Sequence, residues 1–308
     1  MLFSTIDEFA KMSGFTKSEI FFMQKFTHFF YYIFHISKAN RSLRQICAPK
    51  EKLKEIQEFI LENILSKIKP SKYAFAFIKN RNTFKNSKKH LNKKYILKID
   101  IKDFFQTINF KKVKILFLKL GYNGYISQIL ARLCTLNKRV PQGAITSPAI
   151  SNAILKNFDY KVADYLKDKR VIYTRYADDL IFSCNNLKTI KEIKKVIIRF
   201  IMEEGFEINK EKIKIMRKCD RQKITGLIVN SNRVRIGRKK LRELRAKIHK
   251  YVLLLKEKKE DEKLKNNING WLAYLQTVDK QSKEIILNYI KNIYKKYSID
   301  FKQSEAGL

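Results

Sequence analysis

Residues 173–182 read YTRYADDLIF, with two carboxylates side by side between two runs of strand-forming residues. The pattern predicts strand, turn and strand, with Asp178 and Asp179 at or beside the turn. It constrains the fold because adjacent carboxylates raise one another's pKa unless a cation neutralises them. Either the two acids stand apart in solvent, or something positive lies between them. Acids are scarce in this chain, which carries 66 Lys and Arg against 29 Asp and Glu, a formal net charge of +37. An isolated Asp-Asp is most often a solvated turn, so the rest of the chain must decide.

With 308 residues, 45% of them hydrophobic and 12% aromatic, the chain can build two or three subdomains with real cores. A pI near 10 implies a large polyanionic partner, nucleic acid first and an anionic membrane surface second. Part of the lysine load fits the composition of an AT-rich genome. Cys47, Cys134, Cys184 and Cys219 lie far apart with no CxxC pair, which excludes a zinc ribbon or disulfide framework and fits a reducing cytoplasm. The start, MLFSTIDEFAKMSGF, lacks the basic and apolar blocks of a signal peptide. The run IFFMQKFTHFFYYIFHIS is interrupted by Gln24, Lys25, His28 and His35. It is expected to be buried packing ending in a strand, with no membrane involved.

YYIFHIS, KAN and RSLRQICAP read as a β-hairpin with a polar turn. Leu53, Ile56, Ile60, Ile64 and Ile68 then recur at helical spacing up to Pro70. KYILKIDIKDFF is a strand passing into a turn, and two short helices follow. SPAISNAILKNFDYKVADYLKDK predicts one longer helix. After the acidic hairpin come the helix IKEIKKVIIRFIMEEGF and the strands EKIKIMRK and QKITGLIVN. From Arg238 onward the chain is basic and helical. The order describes an α+β core with a helical C-terminal appendage.

Asp100 ends the strand of LKIDIKDFF. If that strand end neighbours the hairpin, Asp100 and Asp178 converge on an all-oxygen site for a hard cation, with Asp179 more peripheral. Mg²⁺ suits such a site, since it keeps few carboxylates and fills its shell with water and substrate phosphates. Two such ions are the usual device for in-line displacement at phosphorus. In VPQGAITSPAISN, Pro141, Gln142 and Gly143 form a tight turn that lets backbone approach a ligand closely, and Ser147 and Pro148 open a helix as cap and first-turn proline. Alone, that loop is a turn and a cap.

In this order, the Asp100 strand, the VPQGAITSP loop and the YADD hairpin resemble the three palm motifs of reverse transcriptases. The resemblance implies a right-hand polymerase of fingers, palm and thumb, with an antiparallel palm sheet and a helical basic thumb. The division it suggests is an N-terminal helix and fingers over 1–92, a palm over 93–230 and a thumb over 231–308. It makes Asp100, Asp178 and Asp179 the catalytic and metal carboxylates, with Ile101 in the same metal site. Two Mg²⁺, or Mn²⁺ in their place, would then neutralise the paired acids. Phe105 matches the family's sugar-discriminating aromatic, with a core role beside Phe104 as the plain alternative. Gln142 and Gly143 would contact the incoming nucleotide, and Arg44, Lys79 and Arg81 would be the fingers' cations.

NSKKH at 86–90 and ITG at 224–226 resemble the Asn-Ala-x-x-His and Val-Thr-Gly of bacterial retron reverse transcriptases, with Ser87 and Ile224 as departures. This places Asn86, His90, Thr225 and Gly226 at RNA or DNA, His90 being equally readable as structural. Asn209 and Lys212 of GFEINKEK match a retron segment, where a Lys near the leaving pyrophosphate could act as general acid. In the thumb segment Leu241, Leu244, Ile248 and Val252 form an apolar stripe, with Arg238, Arg242, Arg245 and His249 beside it to track phosphates. A solvated charged face is the alternative, and Trp271 reads as thumb core.

The resemblance implies an RNA-directed DNA polymerase using deoxynucleoside triphosphates. It would copy a cognate noncoding RNA, starting from a guanosine 2′-hydroxyl, into a branched RNA–DNA hybrid (msDNA). Antiphage defence, an accessory effector protein, template removal by host RNase H and a cytoplasmic location belong to the same expectation. The rivals are a group II intron-type or abortive-infection reverse transcriptase, and a non-catalytic RNA-binding scaffold on a polymerase fold.

Overall fold

The computed structural model describes residues 3–37 and 43–298. It begins with helices α1 (Ile6–Ser13) and α2 (Lys17–Lys25), the second opened by a reciprocal capping box between Thr16 and Glu19. Strands β1 (Tyr31–Ser37) and β2 (Leu43–Pro49) pair antiparallel, Tyr31 opposite Pro49 and Ser37 opposite Leu43. The KAN turn expected between them lies outside the described residues. Helix α3 (Glu51–Asn63), helix α4 (Thr83–Lys88) and strand β3 (Tyr95–Asp100) follow. Next come α5 (Phe104–Thr107), α6 (Phe110–Lys119), α7 (Gly124–Leu133), α8 (Ser147–Ile154) and α9 (Lys156–Tyr165). Strands β4 (Ile172–Tyr176) and β5 (Asp179–Cys184) lead to helix α10 (Leu187–Glu203). Short strands β6 (Lys214–Arg217), β7 (Lys223–Ile224) and β8 (Leu227–Ile228) precede the helices α11 (Arg238–Lys256), α12 (Glu262–Val278) and α13 (Lys280–Lys296). Asn109, Asn123 and Asn186 start α6, α7 and α10 by accepting first-turn N–H groups, so an Asn-rich sequence is put to use as caps.

The chain folds into two compact units. One is built from residues up to Arg81 and from Leu97–Ile215, the other from Asn82–Ile96 and from Met216 onward. Units made of interleaved stretches differ from a division into consecutive segments. The principal sheet has the order β4-β5-β3-β6. β4 and β5 are antiparallel, with Ile172 opposite Ser183 and Tyr176 opposite Asp179. The free side of β4 is covered by the segment around Ala74, where Arg175 exchanges backbone hydrogen bonds with Tyr73 and Phe75. Leu180, Ile181 and Phe182 of β5 are fully buried, as are Ile190, Ile193, Ile197 and Ile201, which line one face of α10. This core fixes the edge from which the acidic turn projects.

Four local expectations need correction. The long helix after the VPQG loop is two helices, α8 and α9, because Leu155 at φ −80°, ψ 1° leaves helical geometry between them. Ser147 is not the cap of α8. Thr146 holds that place, and the Ser147 hydroxyl donates instead to the Pro141 carbonyl at 2.7 Å, closing the loop on itself. QKITGLIVN is a miniature hairpin, not one strand: Ile224 pairs with Leu227, and Thr225 and Gly226 turn at φ 44° and 89°. Such a turn needs positive φ at both central positions, which explains the glycine. The aromatic run is only partly buried. Ile20, Met23 and Tyr31 pack inward while Phe22, Phe29, Tyr32, Ile33 and Phe34 stay exposed, because a two-stranded ribbon covers little of its own surface. Among the described residues no helix is long and apolar enough to cross a membrane.

Candidate active site

The hairpin turn consists of Ala177 and Asp178. Ala177 has φ 54°, a left-handed geometry costing a non-glycine residue roughly 1–2 kcal/mol, so the surroundings must hold it. They do so from two sides. The Ile101 N–H donates to the Asp178 carbonyl at 3.0 Å, tying the turn to the end of β3 and setting Asp178 beside Asp100. From below, Arg175 Nη1 donates to the Ala177 carbonyl at 3.3 Å and to Asn152 Oδ1 at 3.0 Å. The same guanidinium makes a two-pronged pair with Asp159, at 2.8 Å on each prong. Tyr173 donates to Asp159 at 2.8 Å, and Arg175 and Asp159 are wholly buried. Sequence reasoning passed over Arg175, Asp159 and Asn152. The available signal was an arginine inside an otherwise apolar and aromatic strand, two residues before the turn.

Asp100, Ile101 and Asp178 line a cavity of about 360 Å³, shared with Phe105, Gln142 and Lys212. Two lysines meet the acids. Lys212 Nζ lies 3.0 and 3.2 Å from the two Asp100 oxygens, and Lys98 Nζ lies 2.8 Å from Asp179. Among the described residues Asp178 has no ion-paired lysine of its own. Burial, then the charges of Asp179 and Asp100, push its carboxyl up to about 6. Burial also raises Asp179, against the opposing pull of Lys98. At Lys212 burial works against the charge, but the hydrogen bond and charge of Asp100 outweigh it and hold the ammonium protonated above its usual range. Asp100 and Asp179 each have a lysine in contact, and Asp178 between them has none among the described residues.

Among the described residues no group of three or more His, Cys, Asp or Glu side chains stands close enough to hold one metal ion. Asp100 and Asp178 line the cavity together, while Asp179, expected to be the more peripheral acid, is engaged by Lys98. The remaining donors, the Asp100 and Asp178 carboxylates and the Ile101 carbonyl, are hard oxygens that suit Mg²⁺.

The other expected contacts divide clearly. Phe105 is half-buried on the cavity wall, 6.4 Å from Phe77 and 5.1 Å from Phe104, and it is Phe104 that fills the core. Arg44 lines the cavity from β2, whereas Lys79 is exposed and absent from the lining. Arg81 Nη1 donates at 2.6 Å to both the Ser71 and Ala74 carbonyls, which ties this finger cation to its own segment. Gly143, at φ 121°, does bring backbone into close approach, but to its own chain. A Cβ there would stand 2.9 Å from the Cys47 carbonyl oxygen and 2.9 Å from the Ile46 side chain. The Cys47 N–H donates to the Gln142 carbonyl at 2.8 Å, so this loop locks to β2, with Gln142 on the cavity lining.

In the second unit, Asn86 and His90 have no exposed surface. Burial pushes the His90 imidazole down to about 3, keeping it neutral. Both side chains pack inside this unit, which agrees with the structural alternative for His90. Thr225 is half-buried and hydrogen-bonds Ser87 Oγ at 3.2 Å, which braces a strained β-branched residue. Ser87 also donates to the Ile224 carbonyl at 3.1 Å, so NSKKH and ITG form one joint, with Gly226 at its turn. On α11, Leu244, Ile248 and Val252 are buried, while Leu241 is only half-buried and Arg238, Arg242 and Arg245 are exposed. His249 is engaged with the Tyr297 hydroxyl at 3.1 Å. Trp271 is half-buried under Lys240, less deeply than a core residue.

Residues 36–229 match the family model described as reverse transcriptase (RNA-dependent DNA polymerase). The Retron Ec86 reverse transcriptase of Escherichia coli is 35% identical over 271 residues, covering 87% of this chain and 83% of the relative. The Retron Mx65 reverse transcriptase of Myxococcus xanthus is 32% identical, covering 82% of this chain and 62% of the relative. In fold the chain is similar to telomerase from Candida tropicalis (TM-score 0.51, 14% identity, 86% of this chain and 58% of the other). It is also similar to telomerase from Candida albicans in complex with an RNA fragment (TM-score 0.50, 12% identity, 88% and 61%). With the strand-end acid, the locked loop and the acidic turn in place, the right-hand polymerase fold and these relatives agree: the chain belongs to the retron reverse transcriptases, RNA-directed DNA polymerases.

Proposed function

We propose that this polymerase copies part of a cognate structured noncoding RNA into DNA that stays joined to it as a branched hybrid (msDNA), beginning at a guanosine 2′-hydroxyl. We further assign it to cytoplasmic antiphage defence, with an accessory effector protein and with host RNase H trimming the template. The likeness of the NSKKH and ITG segments to the retron pattern supports this reading, as do relatives whose names carry the word retron. The intron-type and abortive-infection rivals have no comparable support along the chain.

The observation that carries the chemistry is Asp178: a half-buried acid on the cavity wall, raised by burial and by the charges of Asp179 and Asp100, with no ion-paired lysine among the described residues. Asp100, Asp178 and the Ile101 carbonyl would hold Mg²⁺, with Asp179 as the peripheral third acid. When bound, the metal supplies neutralising charge for the triphosphate and activates the attacking hydroxyl. The protein's own groups do the rest. Gln142 and Arg44 orient the deoxynucleoside triphosphate from the β2 side. Phe105 presents a flat ring under the sugar and excludes a 2′-hydroxyl. Lys212 holds a proton within reach of the leaving pyrophosphate.

Primer extension on a primed RNA template in Mg²⁺ tests the assignment. Asp178→Asn is expected to lower incorporation by at least ~10³-fold, about 4 kcal/mol in the barrier, with RNA affinity nearly unchanged. Normal extension by that variant would remove Asp178 from the mechanism. An unaltered protein that binds RNA but never extends would make it a scaffold.

A further inference from the structure

Phe77 combines three properties that an ordinary core or surface residue does not share. Its φ of 60° lies in the left-handed region, which is costly for a bulky aromatic residue. It is 54% exposed, although Ala74, Phe75 and Ala76 just before it are buried. It lines the cavity that holds Asp100, Asp178, Phe105 and Gln142. Single exposed apolar residues are common, but an exposed ring gains too little from packing to hold its own backbone in a strained state. Other groups must hold it, and strain of this kind gathers where a structure positions a group for use.

The Phe75 N–H donates to the Arg175 carbonyl and the Arg175 N–H to the Tyr73 carbonyl, each at 2.7 Å, so the chain entering Phe77 is pinned along β4. Asn152 Nδ2 then donates at 2.9 Å to the Ala76 carbonyl, in the peptide that leads directly into Phe77. Beyond it, the Arg81 N–H donates to the Ile78 carbonyl at 3.0 Å and closes a turn. The same buried Asn152 accepts from Arg175 Nη1, which also reaches the Ala177 carbonyl in the acidic turn. One amide therefore sets Phe77 and the acidic turn in a common frame. The Phe77 ring stands 6.4 Å from Phe105 at an interplanar angle of 48°. A flat base between two rings needs parallel faces roughly 7–8 Å apart, two contacts of about 3.5–4.0 Å each. This pair is too close and too tilted for that. It forms an open corner, whose two walls suit the puckered ring of a sugar.

We propose that Phe77 is a further specificity-determining residue of the polymerase: its ring and that of Phe105 make a two-walled corner for the deoxyribose of the incoming nucleotide. The proposal rests on the reading of this cavity as the active site. The test is single-turnover primer extension on a primed RNA template over a range of deoxynucleotide concentrations. Fluorescence anisotropy of the labelled primer–template and urea denaturation accompany it, all with full-length protein. Phe77→Gly removes the ring and suits the left-handed backbone, so its urea midpoint should not fall. The variant should raise the apparent Kd for deoxynucleotide about 10-fold or more, as the loss of an apolar pocket contact does. Its preference for deoxynucleotide over ribonucleotide should fall, and its primer–template affinity should stay unchanged. Phe77→Leu keeps apolar bulk without a flat ring, and should raise the same Kd if the glycine variant fails to fold. Phe77→Tyr keeps the ring and should bind deoxynucleotide more tightly than either. An apparent Kd that neither Phe77→Gly nor Phe77→Leu moves would overturn the proposal, and a fall in stability alongside it would make Phe77 a structural prop. A loss confined to primer–template affinity would also overturn it, giving the ring to the template strand. Extension by the unaltered protein, run in parallel, keeps the two readings apart. Its absence would overturn the active-site reading and the corner with it, whereas its presence with an unmoved Kd counts against Phe77 alone.

Discussion

Asp178→Asn should make the metal-free protein more stable at neutral and alkaline pH. The Asp178 carboxyl is raised from 3.8 to about 6 by burial and by Asp179 and Asp100. The folded chain therefore keeps a proton that the unfolded chain releases. Stability falls as pH rises from about 4 to about 6, and above that the full penalty is in place. The shift of about 2 units corresponds to about 3 kcal/mol at 1.36 kcal/mol per unit. Asparagine carries no charge and escapes that penalty. The variant should thus exceed the unaltered protein by up to about 3 kcal/mol at pH 8 and match it closely near pH 4. Urea denaturation followed by circular dichroism at both pH values reads the difference directly. Mg²⁺ provides the second arm, because an ion held by Asp100 and Asp178, as proposed, would relieve the repulsion. It should raise the unaltered protein's midpoint at pH 8 and raise the variant's much less. The reasoning fails if Asp178→Asn is no more stable than the unaltered protein at pH 8, or if Mg²⁺ stabilises both equally.

Two further outcomes follow from the geometry. Asp159→Asn strands the buried Arg175 guanidinium and should cost about 3–5 kcal/mol in urea denaturation. Because Arg175 holds the Ala177 carbonyl, the surviving folded enzyme should lose kcat with little change in KM, and an unaltered kcat would make the network purely structural. Phe105→Ala removes the ring from the cavity wall, so ribonucleotide incorporation should rise at least about 10-fold relative to deoxynucleotide in single-turnover assays, about 1.4 kcal/mol of discrimination. A ratio that does not move would return Phe105 to the core.

Local elements are legible in the sequence where a short segment contains its own reason. The acidic hairpin follows from strand formers around two turn residues, the helices from their apolar spacing and Asn or Thr caps, and the basic helical end from its composition. The motif order carries the polymerase family because each motif needs only a few adjacent residues. Sequence reasoning goes astray where distant segments decide. Leu155 breaks a helix whose pattern runs on, Gly143 makes room for β2, and Arg81 Nη1 binds the Ser71 and Ala74 carbonyls. That NSKKH and ITG form one joint, with Asn86 and His90 buried, is likewise invisible in either segment alone.

From its own residues the chain determines that a strand-end acid, a glycine-bearing loop and an acid pair at a turn will exist, because φ/ψ preferences and alternation act over a few residues. Tertiary structure alone decides which charges remain unbalanced. Lys98 takes Asp179, Lys212 takes Asp100, and Arg175 is buried against Asp159 under the turn. Charge acts through space, so its balance is settled only once segments far apart in sequence have been packed side by side.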